Sequence, residues 1–242
     1  MRKVALAAVS SLLLVVPQAV RAQQESGVEP FLKPAPPPEK DSGFTLALRL
    51  GFGIPFGDTS ADSGAATPLG DQLQGQVPIW IDVGYRFARS WFVGAYLQVG
   101  VGIVNTDKAA GGLCKQPGFS CKGSDVRLGV EGTYSFSPGQ SFNPWIGLGT
   151  GYEWVNLQGE SSTATGEVTF RGWEYFTVQA GGDFSLSRVF ALGPYVSFGL
   201  GQYSSADVTL VSTTVSTTFS GDIANKKIHA WLQLGVKGTF NL

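Results

Sequence analysis

Apolar side chains recur at every second position in eight segments of the chain, with glycine, small polar or charged residues between them. In the first segment, Leu46, Leu48 and Leu50 alternate with Ala47 and Arg49. Because successive side chains of a β-strand point to opposite faces, each segment is predicted to be a strand with one apolar face. The eight segments are residues 44–54, 77–87, 91–103, 126–136, 142–154, 176–184, 190–200 and 228–240. An even number of such strands is typical of a barrel whose outer face contacts lipid.

The connections between these segments alternate in length. Those after the second, fourth and sixth segments are tight turns, whereas the others, residues 56–75, 104–123, 156–168 and 204–226, are long and polar. Outer-membrane barrels have short periplasmic turns and longer external loops. The predicted fold is therefore all-β, an eight-stranded antiparallel up-and-down transmembrane β-barrel with both of its ends on the periplasmic side. The fourth long connection is rich in Val and Thr and is either a ribbon that extends the flanking strands or a plain solvated loop.

One aromatic residue stands on the apolar face at the short-turn end of each predicted strand. Aromatic rings favour the depth at which acyl chains meet lipid headgroups, so these residues are predicted to form a periplasmic girdle. A soluble β-sandwich, the alternative for a glycine-rich β-protein, gives no reason for aromatic residues at one end of every strand. The predicted girdle consists of Phe44, Phe87, Trp91, Phe136, Phe142, Phe184, Phe190 and Phe240.

Composition supports a membrane barrel. Charged residues make up only 14% of the chain, against about 25% in ordinary soluble proteins. No apolar stretch beyond the N-terminus reaches the roughly 20 residues that a spanning helix needs. The net charge of −1 gives no reason to expect nucleic acid as a partner.

The N-terminal region divides into two parts. Residues 1–22 carry Arg2 and Lys3, a short apolar core and a small-residue end at Ala22, which together predict a cleaved secretory signal peptide. Residues 23–42 are proline-rich and predict an extended periplasmic spacer, with a partner-binding proline motif as the less favoured alternative. Residues 43–242 form the predicted barrel domain.

The eight segments and the final strand, HAWLQLGVKGTF, resemble the small outer-membrane barrels of Gram-negative bacteria, of the OmpA-like and OmpX-like type. The resemblance covers residues 43–242. It implies a location in the outer membrane and, as partners, outer-membrane lipids and the barrel-assembly machinery.

The inner positions of the strands carry several charged residues. The lumen of an eight-stranded barrel is just wide enough for its own side chains, and buried charges must be paired there. A lumen charge network is therefore predicted from Arg49, Asp82, Arg127, Glu131 and Lys237. This network is either a closed structural plug or one that rearranges into a narrow channel.

Two further features bear on chemistry. Cys114 and Cys121 lie close together in the second long connection of an exported chain and predict a disulfide; a metal site would need more ligands than this loop offers. The single histidine, His229, is predicted to face the lumen near the outer rim. It is either a hydrogen-bonded interior residue or a catalytic residue of a lipid A-modifying enzyme, although no serine stands at a distinctive spacing from it.

The sequence thus favours a non-enzymatic outer-membrane protein, structural or binding an extracellular ligand through its loops, without a cofactor or a metal. A narrow channel for small solutes or lipophilic molecules is the alternative, and a lipid A-modifying enzyme that uses His229 is less favoured.

Overall fold

A computed structural model describes residues 41–60 and 66–242. The predicted signal peptide and residues 23–40 of the predicted spacer lie outside the described residues. The described chain is almost entirely antiparallel β-sheet, and none of its helices is long and apolar enough to cross a membrane. The strands are β1 (Gly43–Ser60), β2 (Thr67–Pro68), β3 (Leu73–Phe87), β4 (Trp91–Val104), β5 (Ser120–Ser135), β6 (Phe142–Glu160), β7 (Ala164–Ser185), β8 (Phe190–Ser212), β9 (Ser216–Asp222) and β10 (Ile228–Asn241). A four-residue helix, α1 (Leu69–Gln72), precedes β3, and a 3-10 helix spans Ala109–Lys115.

Eight of these strands close into a ring. Each pairs with its neighbour along the chain from β1 through β3 to β8, and β8 pairs with β10. The ring closes between β1 and β10, in register from Thr45 opposite Asn241 to Gly57 opposite His229. The predicted eight-stranded antiparallel up-and-down barrel is confirmed.

The outer surface of the ring is apolar on every strand. Leu50, Ile79, Val93, Val130 and Leu148 are each more than half exposed. A continuous apolar surface of this extent is unfavourable in water and fits the hydrocarbon of a bilayer. This surface is called the apolar belt below.

The structure places all eight aromatic residues of the predicted girdle at the short-turn end of the barrel, on or beside the apolar belt. Several of their rings contact rings on adjacent strands. The ring centroids of Phe142 and Phe184 are 4.9 Å apart, and those of Phe190 and Phe240 are 4.7 Å apart. Tyr85, against Phe44, adds a further ring at this level.

The strands on one side of the barrel continue far beyond the belt, which corrects one predicted loop. Residues 156–168 were predicted to form a long connection, but β6 runs to Glu160 and β7 starts at Ala164. The polar residues in this stretch alternate with apolar ones, so they form an outer strand face rather than a loop. In the fourth connection, β8 and β9 form a hairpin, so the ribbon alternative is correct there.

Close approach of β7 and β8 depends on Gly193. A Cβ added at Gly193 would overlap the carbonyl oxygen of Gly182, whereas one added at lipid-facing Gly132 would meet only the Phe92 carbonyl oxygen, at 3.7 Å. We expect Gly193→Ala to lower the free energy of unfolding by about 1–3 kcal/mol because the β7 backbone has to move. Urea unfolding in lipid vesicles measures this, with Gly132→Ala as the control. Equal unfolding midpoints for the two variants would show that the β7–β8 contact is not tight.

Candidate functional site

The lumen near the short turns holds a buried group centred on Arg49, the lower charged layer. Arg49 Nε donates to Asp82 Oδ2 at 2.7 Å, and its Nη2 donates to both carboxylate oxygens of Glu131 at 2.7 and 2.8 Å. Its Nη1 donates to Gln179 Oε1, and Gln179 Nε2 donates to Glu131 Oε2 at 2.9 Å. Every member is at least nine-tenths buried. Such pairing is what allows charges to stay inside a protein.

A second buried group, the upper charged layer, lies nearer the long connections and is centred on Arg127. Its Nη2 donates to Asp125 Oδ2 at 2.8 Å and to Glu153 Oε1 at 3.2 Å, and its Nη1 donates to Glu174 Oε2 at 3.3 Å. The guanidinium carbon also lies 5.2 Å from the centroid of the Trp231 ring. One cationic side chain therefore serves three carboxylates.

His229 belongs to this upper layer. Its Nε2 lies 2.7 Å from Glu153 Oε2, and its ring stacks on Tyr203 with centroids 3.9 Å apart. The Tyr203 hydroxyl and Trp231 Nε1 each donate to Glu153 Oε1 at 3.0 Å. Only 1% of His229 is exposed. It faces the lumen, as part of a hydrogen-bonded interior cluster.

The five charged residues predicted to form one network are divided between the two layers. Arg49, Asp82 and Glu131 are joined directly, whereas Arg127 bonds to a different set of carboxylates. Lys237 lies over the Trp145 ring, with its Nζ 4.0 Å from the ring centroid, and makes no direct ion pair within the described residues. A cation–π contact thus takes the place of the expected salt bridge.

Several members of the upper layer, Glu153 among them, were not among the predicted site residues. Asp125 and Tyr203 lie just outside the predicted strand segments, on their inner faces. Glu174 was hidden by a β-bulge: Glu174 pairs with Gly201 and Phe176 with Leu200, so Tyr175 is an extra residue. The bulge shifts the alternation and turns Glu174 into the lumen, where 1% of it is exposed.

An apolar cap closes the lumen above the upper charged layer. Its members are nearly or fully buried, and four partly buried residues pack against them. Helix α1 and the start of β3 supply part of the cap. The cap consists of Leu69, Leu73, Val155, Tyr203, Ile223 and Trp231, and Val104, Leu157, Phe170 and Ala206 pack against it.

Beyond the belt, the two faces of β6 to β9 exchange their character. Strand pairing puts Leu157 opposite Val168, Val168 opposite Val208 and Val208 opposite Phe219, in one apolar row on the face that continues the lumen. The adjacent outer rows are polar, and their side chains contact each other. Asn156 donates hydrogen bonds to Glu167 and Thr169. Arg171 forms an ion pair with Asp207, and the hydroxyls of Thr209 and Thr218 lie 3.2 Å apart. Within the membrane, the apolar face of the sheet points outward. Beyond the membrane, the apolar face points inward.

The inward apolar face encloses an open cavity of about 770 Å³ at the long-connection end of the barrel. This volume lies within the roughly 300–1,000 Å³ of small-molecule sites. The cavity is called the apolar cup. Its apolar side chains come from the strands, from the β8–β9 turn and from the second connection, and they include Val104, Leu113, Phe119, Leu157, Val168, Phe170, Leu210, Val215 and Phe219.

The second connection forms one wall of the apolar cup and is fastened at both ends. The predicted disulfide between Cys114 and Cys121 is present and lines the cup. At the other end, Lys108 Nζ lies 2.7 Å from Asp71 Oδ1.

A second ion pair lies within the same connection, between Lys115 and Asp107. A hydrogen bond from Lys115 lowers the pKa of Asp107, and the same contact raises the pKa of Lys115.

Comparison with known proteins gives the type of fold. No protein-family model and no curated protein sequence matches the chain. A major outer membrane protein from Thermus thermophilus is similar with a TM-score of 0.51 at 13% identity, over 82% of this chain and 99% of that chain. The outer membrane protein OprG from Pseudomonas aeruginosa gives a TM-score of 0.45 at 14% identity, over 84% and 99%. Neisserial surface protein A gives 0.44 at 11% identity, over 84% and 100%.

At these identities the similarity establishes architecture and no more. The ring of eight strands, the apolar belt and the aromatic residues at the short-turn end agree with that architecture. The chain therefore has the fold of the small eight-stranded β-barrels of the outer membrane, and its apolar belt is the surface that faces the lipid of that membrane.

Proposed function

We propose that this barrel is a non-enzymatic surface protein that binds a small apolar ligand in the apolar cup. The observation that carries the proposal is a cavity of about 770 Å³, lined mainly by aliphatic and aromatic side chains, at the end with the long connections. In outer-membrane barrels that end faces the outside of the cell. Outer-membrane lipids and the barrel-assembly machinery are the other partners we propose.

The packing of the lumen favours binding over conduction. Below the apolar cup, the cap and the two charged layers occupy the lumen and leave only a small cavity of about 70 Å³ beside Asp82 and Glu131, and Trp80, Tyr96, Trp145 and Trp231 are at most 2% exposed. A channel would require several of these side chains and their ion pairs to move together. We therefore assign the charged layers a structural role, as a plug that supports the cup.

The environment of His229 favours a non-enzymatic role. Its ring is buried, with one face stacked on Tyr203 and its Nε2 at Glu153. A catalytic base has to reach a substrate proton within hydrogen-bond distance. Burial under the cap keeps His229 away from any lipid A headgroup at the membrane surface.

A substitution on the inner face tests the proposed binding. We expect Phe219→Asp to weaken binding of the apolar fluorophore N-phenyl-1-naphthylamine at least tenfold, because it removes an aromatic wall and adds a charge. The measurement is a fluorescence titration of the protein in lipid nanodiscs, with the signal of empty nanodiscs subtracted. Thr218→Asp is the control, since it adds the same charge on the neighbouring outward-facing residue.

Two outcomes contradict the proposal. One is wild-type protein whose fluorescence signal equals that of empty nanodiscs. The other is an equal affinity for the probe in the Phe219 and Thr218 variants, which would locate the probe outside the apolar cup.

A further inference from the structure

We propose that the ligand of the apolar cup is an uncharged molecule and that the site discriminates against both anionic and cationic amphiphiles of the same chain length. This inference rests on the proposed function and adds the chemical class of the ligand. It derives from the exchange of polar and apolar faces at the membrane boundary.

The inner face of the cup presents no charged side chain within the described residues. One inner row runs from Leu157 through Val168 and Val208 to Phe219, and the next runs through Gly159, Gly166, Leu210 and Thr217. The second connection adds Ala109, Leu113, Phe119 and the disulfide. A ligand head group buried among these residues would find hydroxyl and backbone groups, and no ion to pair with.

Two charged residues, Lys122 and Glu167, border the cavity but belong to an outer row. In the strand pairing, Lys122 lies opposite Gln158, and Gln158 lies opposite Glu167. Each of these residues is one position away from an inner-row residue of its own strand, so its side chain points to the outer face. Glu167 Oε1 accepts a hydrogen bond from Asn156 Nδ2, which lies on the outer face as well. These two charges therefore serve the solvated outside of the ribbon.

Two nearby lysines of the second connection form ion pairs outside the inner face of the cup. Lys108 pairs with Asp71 at 2.7 Å, and Lys115 pairs with Asp107 at 2.9 Å. Both ion pairs are exposed and lie outside the inner rows. Neither supplies a free cation to an anionic ligand inside the cup.

The upper charged layer adds a bias against anions. It holds Asp125, Glu153 and Glu174 around Arg127, and the apolar cap contacts this layer on one side and the cup on the other. Charges interact strongly across such a low-dielectric medium. A cationic ligand is disfavoured for a different reason, since burying an ammonium group without a partner is costly.

Three eight-carbon competitors with different head groups test the inference. We expect 1-octanol to displace N-phenyl-1-naphthylamine from wild-type protein in nanodiscs at a concentration at least tenfold lower than octanoate or octylammonium. Displacement is measured at pH 8, with each competitor corrected for its effect on empty nanodiscs. Octanoate or octylammonium competing as well as 1-octanol, while the probe itself binds, overturns this inference and leaves the proposed function standing.

Lysine substitutions at two neighbouring residues test whether a charge in the inner row creates affinity for an anion. Thr217→Lys places a cation in the inner row, and Thr218→Lys places the same cation in the outer row. We expect the Thr217 variant to bind octanoate at least fivefold more tightly than wild type, with no gain for octylammonium, and the Thr218 variant to keep the wild-type order. An unchanged order in the Thr217 variant would show that the missing inner charge does not set the preference.

Discussion

Arg127→Met should lower the free energy of unfolding of the barrel by about 3–5 kcal/mol, because it leaves buried carboxylates without their cation. Asp125, Glu153 and Glu174 all bond to this one guanidinium, and each is at most 1% exposed. Methionine keeps much of the side-chain volume beside Trp231, so the loss measures the ion pairs rather than a cavity. Urea unfolding in lipid vesicles, followed by tryptophan fluorescence, gives the free energy.

Arg171→Met is the matched control. Arg171 pairs with Asp207 on the outer face of the ribbon, where the side chain of Arg171 is 37% exposed. Exposed ion pairs contribute about 0–1 kcal/mol, so this variant should unfold close to wild type. Similar losses in the two variants would mean that the upper charged layer is solvated and does not need its arginine.

The sequence was sufficient to predict the barrel because the contrast between lipid and lumen is imposed residue by residue. In β4, for example, Val93, Leu97 and Val101 face outward, while Tyr96 and Gln98 are buried inside. Alternation of this kind fixes the register of a strand, since a shift of one residue would reverse both faces. It needs no knowledge of the neighbouring strands.

The composition of the upper charged layer depends on details that alternation does not contain. Glu174 faces the lumen only because Tyr175 is an extra residue in β7, which leaves Trp173 and Tyr175 on the outside. A bulge is a property of the pairing between strands, and along β7 its trace is the change of phase at the adjacent aromatic residues Tyr175 and Phe176.

The apolar cup was missed for a related reason. The long polar connection predicted at residues 156–168 assumed that a strand ends where its lipid-facing residues end. Leu157 and Val168 continue the alternation with the faces exchanged, because water replaces lipid outside and a cavity replaces the charged lumen inside. The signal for these longer strands was the reversed order of apolar and polar residues beyond the last lipid-facing aromatic residue.

Arg49→Met should also lower the free energy of unfolding by about 3–5 kcal/mol, through the lower charged layer. Its guanidinium bonds to Asp82, Glu131 and Gln179, and its removal leaves two adjacent buried carboxylates. The unfolding measurement is the same as for Arg127.

A triple variant separates the loss of charge balance from the loss of packing. Arg49→Met combined with Asp82→Asn and Glu131→Gln removes the cation together with both of its acids, and the amide side chains keep the size of the carboxylates and one acceptor oxygen each. Replacing a whole buried ion cluster is often close to neutral, whereas breaking it is destabilising. We therefore expect the triple variant to be more stable than Arg49→Met alone, despite its two additional substitutions. If the triple variant is instead less stable than the single one, the hydrogen-bond geometry of the carboxylates, and not their charge, holds this layer together.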